Sequence, residues 1–206
     1  NPKLKVISNY AVGVNNIDVS YATKKGIVVC NTPSQQVVDA VAEHTIMLLL
    51  GLAKRIHEDE LYVRNNQWKY WDPGLLVGTQ VKGKVLGVVG LGKIGSGVTE
   101  KAVYGLGMEV IYYDVIRNKS FEKKYHAVKV SLSTLLKKAD FVTIHVPLLK
   151  STHHLIGARE LRIMKKTAYL INTSRGLVVD EKSLINAFQK KQIAGAGLDV
   201  YESEPH

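Results

Sequence analysis

The sequence is poor in cysteine, proline, aromatic residues and acids, and each shortage excludes something. A single cysteine, Cys30, closes no internal disulfide and builds no zinc cluster, so a disulfide-stapled secreted scaffold is excluded. Five prolines, 46% hydrophobic and 22% charged residues are ordinary globular usage, which argues against disordered, collagen-like or coiled-coil chains. No long hydrophobic run is present. The longest, residues 46–53, is too short to cross a bilayer, and no signal-like start precedes it, so the reading is a cytoplasmic protein without a membrane partner. Acids number 18 against 28 Lys and Arg, a net charge of +10. The basic residues fall in scattered pairs such as Lys24-Lys25, Lys137-Lys138 and Lys190-Lys191, mostly at predicted helix ends, without a dense run or interleaved aromatics. That pattern speaks against a nucleic-acid surface and suits an enzyme that draws in small anions.

A chain of 206 residues can hide roughly 70% of its unfolded surface and needs no staples. It starts at Asn1 with a strand already at 3–8, as though inside a fold. Asp18 caps a short helix ending at Gly26, and 27–30 is a second strand. After Asn31-Thr32-Pro33, apolar residues at helical spacing predict one long helix over 34–65, apolar all round at its centre. Such a centre asks for cover on more than one side, which a second subunit would supply. From residue 77 onward, near-continuous apolar strands (85–89, 110–113, 141–145, 168–172, 193–198) alternate with helical stretches (94–106, 133–138, 158–164, 181–189). Alternation of this kind predicts an α/β domain with a doubly wound parallel sheet covered on both faces.

The first of those strands runs straight into Gly90-Leu91-Gly92-Lys93-Ile94-Gly95. This is G-x-G-x-x-G with a strand before it and a helix after it. The glycines permit a tight turn, close approach of a pyrophosphate and close helix–strand packing, and the helix N-terminus offers N–H groups to phosphates. The next strand ends at Asp114, where a carboxylate accepts from both adenosine ribose hydroxyls and repels a 2′-phosphate. NAD(H) is therefore expected as cofactor over NADP(H). Arg117 and Lys119 lie near enough in sequence to weaken that preference. No metal site is expected.

Further motifs accompany the glycines: residues 9–18 (NYAVGVNNID), Asn31-Thr32-Pro33, His145-Val146-Pro147-Leu148, Asn172-Thr173-Ser174-Arg175-Gly176, and residues 197–205 (GLDVYESEP). On these the chain resembles the D-isomer-specific 2-hydroxyacid dehydrogenase family, and within it the glyoxylate and hydroxypyruvate reductase branch. The resemblance implies a Rossmann NAD-binding domain over 34–206, with 34–65 as a long dimer-forming helix. Residues 1–33 would be the remnant of a second, flavodoxin-like substrate domain. It also implies hydride transfer between nicotinamide and C2 of a small 2-keto or 2-hydroxy acid. Arg175 would grip the substrate carboxylate and polarise the keto oxygen. Glu204 would raise the pKa of a histidine proton donor. The backbone N–H groups of Val12 and Gly13 would receive the carboxylate. Gly90, Gly92, Lys93, Ile94, Gly95, Asp114, Val115, Ile116, Val146, Pro147, Thr173, Ser174 and Asp199 would hold the cofactor.

One departure from the family pattern concerns the proton donor. The family's catalytic histidine lies beyond the glutamate motif, and none of His44, His57, His126, His145, His153, His154 or His206 takes its place. The expectation is an incomplete enzyme, binding NAD(H) as a homodimer and turning over poorly by itself. Two alternatives share the motifs: 3-phosphoglycerate dehydrogenase, and an NADH-sensing corepressor with no catalytic role.

Overall fold

The computed structural model describes residues 3–205, so Asn1, Pro2 and His206 lie outside the described residues. Its contacts divide the chain into two compact units, Asn1–Ala40 and Val41–His206. In the first unit, β1 (Val6–Ser8) pairs in parallel with β2 (Val28–Cys30), joined through α1 (Val19–Lys24). Asp18 caps α1 by accepting from the Tyr21 N–H at 2.8 Å, and Gly26, at φ +69°, ends it.

The predicted helix over 34–65 is two helices, α2 (Gln35–Ala53) and α3 (Ile56–Arg64). The Thr79 N–H takes the Ala53 carbonyl at 2.6 Å, removing the acceptor a continuous helix would use, and Lys54 Nζ holds the Thr79 carbonyl at 3.1 Å. Arg55, at φ +56°, turns the chain there. Nor is α2 buried all round. Ala42, Thr45, Leu49 and Ala53 form one buried stripe, while Met47 on another face is 53% exposed. By length and composition alone α2 could cross a bilayer, but that buried stripe is packed in a protein core and the helix carries Asp39, Glu43 and His44.

The sheet of the second unit comprises β3 (Val85–Val89), β4 (Glu109–Tyr113), β5 (Val128–Lys129), β6 (Phe141–Ile144), β7 (Tyr169–Asn172) and β8 (Gly195–Leu198). All pairings are parallel and the order is β5-β4-β3-β6-β7-β8, so the winding reverses between β3 and β6. Alternation along β3 and β6 feeds two cores. Leu86, Val88 and Phe141 face one with Leu49 and Tyr112; Val89, Val142 and Ile144 face the other with Leu135 and Leu170. Helices α4 (Lys93–Glu100), α5 (Lys119–Tyr125), α6 (Leu132–Lys138), α7 (Ala158–Ile163) and α8 (Glu181–Gln189) connect the strands. The expected helix over 94–106 is α4 running into a π-turn at Lys101–Gly105. The sequence pattern misses α5 and β5. Only Phe121 and Tyr125 of α5 are buried, and β5 is a two-residue edge strand, too short to show a period.

Candidate functional site

Because all six strands run the same way, the loops leaving β3, β4, β6, β7 and β8 gather at one edge, with the winding reversal between β3 and β6. Open parallel sheets bind ligands there. The glycine loop follows β3, Asp114 follows β4, Val146 and Pro147 follow β6, Thr173 to Arg175 follow β7, and Asp199 follows β8.

The three glycines of the loop do different jobs. Gly90 sits at φ +96°, and a Cβ there would stand 2.9 Å from the His145 carbonyl and from Val146 Cγ1. A Cβ on Gly95 would overlap the Gly90 carbonyl oxygen, so this glycine lets α4 lie against the loop. Gly92 meets nothing within 4 Å. It is the N-cap of α4, offers no side-chain cap, and leaves open space before the first N–H groups of Lys93 and Ile94. Open space over a helix N-terminus fits a pyrophosphate. Asp114, half-buried, ties this loop to β4: Oδ2 accepts from the Leu91 N–H at 2.7 Å and Oδ1 from the Ile116 N–H at 3.0 Å. Each oxygen keeps a second lone pair for a ribose hydroxyl. Val115 and Ile116 beside it are 85% and 74% exposed, an open apolar lip.

The loop after β7 is organised by Asn172, a residue whose role the motif did not disclose. Its buried amide donates to the Arg175 carbonyl at 2.9 Å, while its Oδ1 accepts from the Ser174 N–H at 3.0 Å and the Ser174 hydroxyl at 2.8 Å. Arg175 Nη1 donates to the Ser174 carbonyl at 2.6 Å, holding one tip of the guanidinium. Gly176 follows where a Cβ would overlap the Tyr201 backbone, so the segment bearing Glu204 packs directly on the Arg175 loop. Glu204 accepts from the Tyr201 N–H at 2.6 Å. Behind it, Glu202 and Glu181 exchange carboxylate-to-backbone bonds, and His154 Nε2 lies 2.7 Å from Glu202 Oε1.

Helix α2 braces two of the residues expected at the cofactor. His44 Nε2 lies 3.2 Å from Asp199 Oδ1, and the hydroxyls of Thr45 and Thr173 meet at 2.9 Å. Thr45 spends its one proton on the Val41 carbonyl at 2.8 Å, so Thr173 donates to Thr45. The available signal was a polar residue on the buried stripe of α2. Thr45→Val is expected to cost about 1 kcal/mol in urea denaturation, because the Thr173 donor loses its partner, while Thr45→Ser stays nearer wild type.

His145 occupies the nucleotide-cleft motif but is no proton donor at neutral pH. Its Nε2 is enclosed without a hydrogen-bond partner, and burial pushes its pKa down to about 3. Val12 and Gly13 lie in the first unit, after β1. The Asn31 and Asn9 amides donate to their carbonyls at 2.8 and 2.7 Å, which fixes the peptide planes on either side of Gly13. Among the described residues no group of three His, Cys, Asp or Glu could hold a metal ion.

Residues 46–206 match the family described as D-isomer specific 2-hydroxyacid dehydrogenase, NAD binding domain. The chain is 49% identical to a glyoxylate reductase of Korarchaeum cryptofilum, over 99% of this chain and 61% of that protein. It is also 49% identical to a glyoxylate reductase of Thermococcus litoralis, over 100% and 62%. A solved D-lactate dehydrogenase of Aquifex aeolicus, complexed with NAD and lactic acid, superposes with TM-score 0.90 at 39% identity, covering 98% of this chain and 60% of that one. A glyoxylate reductase of Paecilomyes thermophila gives TM-score 0.88 at 34% identity, over 100% and 61%. The chain thus spans about three fifths of the length of these relatives.

Proposed function

The chain belongs to the D-isomer-specific 2-hydroxyacid dehydrogenase family, through its NAD-binding domain, and from that premise we propose that it serves NAD-dependent interconversion of a small 2-keto acid and its D-2-hydroxy acid, of the glyoxylate or hydroxypyruvate type. The observation that carries this reading is the gathering of Gly92, Asp114, Arg175 and Asp199 at the carboxyl edge of one parallel sheet. Held at this edge, a nicotinamide cofactor would supply or accept the hydride exchanged with C2 of the acid.

The protein's own groups bind, orient and tune. The Gly92 cradle and the α4 N–H groups take the pyrophosphate, and Asp114 takes the ribose. Thr173 and Asp199, braced by Thr45 and His44, would serve the nicotinamide end. The Arg175 guanidinium, with its fork of donors, grips the substrate carboxylate and polarises the oxygen on which charge develops during reduction. Glu204 would tune the family's histidine proton donor, whose place none of this chain's histidines takes. Homodimerisation belongs to the same reading. Met47 on α2 and Ile56, Leu61 and Val63 on α3 are each more than 40% exposed, an apolar surface that a two-fold partner would cover.

The test is fluorescence titration with NADH and NADPH, followed by NADH consumption on adding glyoxylate or hydroxypyruvate to the protein that carries this chain. NADH is expected to bind about tenfold more tightly than NADPH, and Asp114→Ala to erase that margin. Absence of binding by either nucleotide would remove the reading's support.

A further inference from the structure

Beside the cofactor edge lies a charge cluster whose role neither the glycine motif nor the substrate residues explain. It joins the chain just beyond Asp114 to α5. Arg117, three residues after Asp114, makes a two-point pair with Glu122. Nε lies 3.0 and 3.1 Å from the two carboxylate oxygens, and Nη2 lies 2.9 Å from Oε2. The carboxylate is anchored from behind. The hydroxyl of Tyr112, a fully buried residue of β4, donates to Glu122 Oε1 at 2.8 Å and accepts from the Asn118 N–H at 3.1 Å. Asn118 Oδ1 in turn caps α5, taking the Phe121 N–H at 3.0 Å and the Ser120 hydroxyl at 2.8 Å.

The pair is lopsided in exposure. The Glu122 side chain is 16% exposed and that of Arg117 60%, so the acid is the fixed partner and the cation the captured one. Hydrogen bonds from Arg117 and from Tyr112 hold the Glu122 carboxyl below the usual carboxylate range, which keeps it charged at neutral pH. Two other cations are close by. Lys129 Nζ donates to the Val115 carbonyl at 3.3 Å, and Lys119 begins α5 beside Glu122. A guanidinium matches a phosphate in two-point fashion, which a lysine does not. The position just after the ribose-binding acid is where a dinucleotide fold meets an adenosine 2′-phosphate with an arginine.

We propose that Glu122 is a cofactor-specificity residue: by holding Arg117 in a two-point ion pair, it withholds from a 2′-phosphate the guanidinium that would otherwise accept it, and so reinforces the choice of NAD(H) made by Asp114. This rests on the cofactor reading above and names a second residue that enforces it. By sequence alone Arg117 and Lys119 would weaken the NAD preference; on this proposal the pairing with Glu122 takes Arg117 out of that role.

The experiment titrates the chain with NADH and with NADPH as wild type, Glu122→Gln, Arg117→Ala and the double variant. Gln keeps an oxygen for the Tyr112 hydroxyl while removing the charge that holds Arg117. Glu122→Gln is expected to tighten NADPH binding about tenfold and to change NADH less than twofold. Arg117→Ala alone is expected to change neither, and adding it to Glu122→Gln is expected to abolish the gain. The proposal is overturned by unchanged NADPH affinity in Glu122→Gln, or by a gain that survives in the double variant. It is equally overturned if Glu122→Gln loses NADH as well, which would make the residue structural. A tenfold loss of NADPH in Arg117→Ala alone would mean that the guanidinium already reaches the phosphate. Wild-type protein binding neither nucleotide would instead sink the cofactor reading itself, a distinct result.

Discussion

Gly92→Ala is expected to weaken NADH binding about a hundredfold or more while leaving stability within about 1 kcal/mol of wild type. The reason is that nothing in the protein occupies the space a Cβ would fill there, and the backbone angles suit alanine. The methyl group would instead stand where the pyrophosphate must approach the α4 N–H groups, and hydrogen bonds to charged groups are the costly ones to lose. Gly95→Ala is the contrasting case. Its Cβ would overlap the Gly90 carbonyl oxygen and press on Val88 Cγ1 at 3.2 Å, so the helix must shift from the loop. That variant is expected to lose about 3 kcal/mol in urea denaturation as well as its NADH affinity. Fluorescence titration and unfolding of both variants give a two-by-two outcome. Wild-type affinity in Gly92→Ala would show that the ligand passes elsewhere, and wild-type stability in Gly95→Ala would show that α4 tolerates displacement.

Acid is expected to destabilise the fold through His145, by about 2 kcal/mol between pH 6.5 and pH 4.5. In the unfolded chain this imidazole titrates near 6.5, whereas burial holds it near 3 in the native state. Between those values the unfolded state binds the extra proton, so the associated stability is whole above about pH 6.5 and is lost as pH falls toward 3. The full slope would be about 1.4 kcal/mol per pH unit, and partial exposure of the residue reduces it. Asp140, Asp180, Glu58 and Glu122 are all held below their ordinary carboxyl values, so their own losses come at lower pH. Urea denaturation across this range should show the slope in wild type and a flatter one in His145→Gln. Equal slopes would assign the effect to other groups.

Most of the architecture was legible because it is written in local patterns. The sequence predicts α8 over 181–189, where the structure places it, and it predicts β3 over 85–89 with the same bounds. An amphipathic helix and an apolar strand need no distant partner to be recognised. The failures have physical causes of another kind. The predicted helix over 34–65 keeps its apolar spacing from Leu52 to Ile56, and the competing Thr79 N–H, 26 residues beyond Ala53, breaks it. Helix α5 and β5 are small and polar because they cover one edge of the sheet, so they carry too little hydrophobic period to announce themselves.

The same division holds at the site. By itself the sequence determined that a strand, a glycine turn, a helix and an acid at the end of the following strand occur in dinucleotide-binding register. Spacing along the chain is enough for that, since the strand and helix fix the direction of each residue. Whether those residues converge, and what each one is tied to, was decided by the tertiary structure. Parallel packing of β3, β4, β6, β7 and β8 brings their carboxyl ends to one edge. Thr45 finds Thr173 across 128 residues. Arg117 passes from a cation free to meet phosphate to one captured by Glu122, only five residues on. A side chain's partner depends on which of several rotamers the surrounding core permits, and Tyr112, buried beneath Glu122, is what makes that choice.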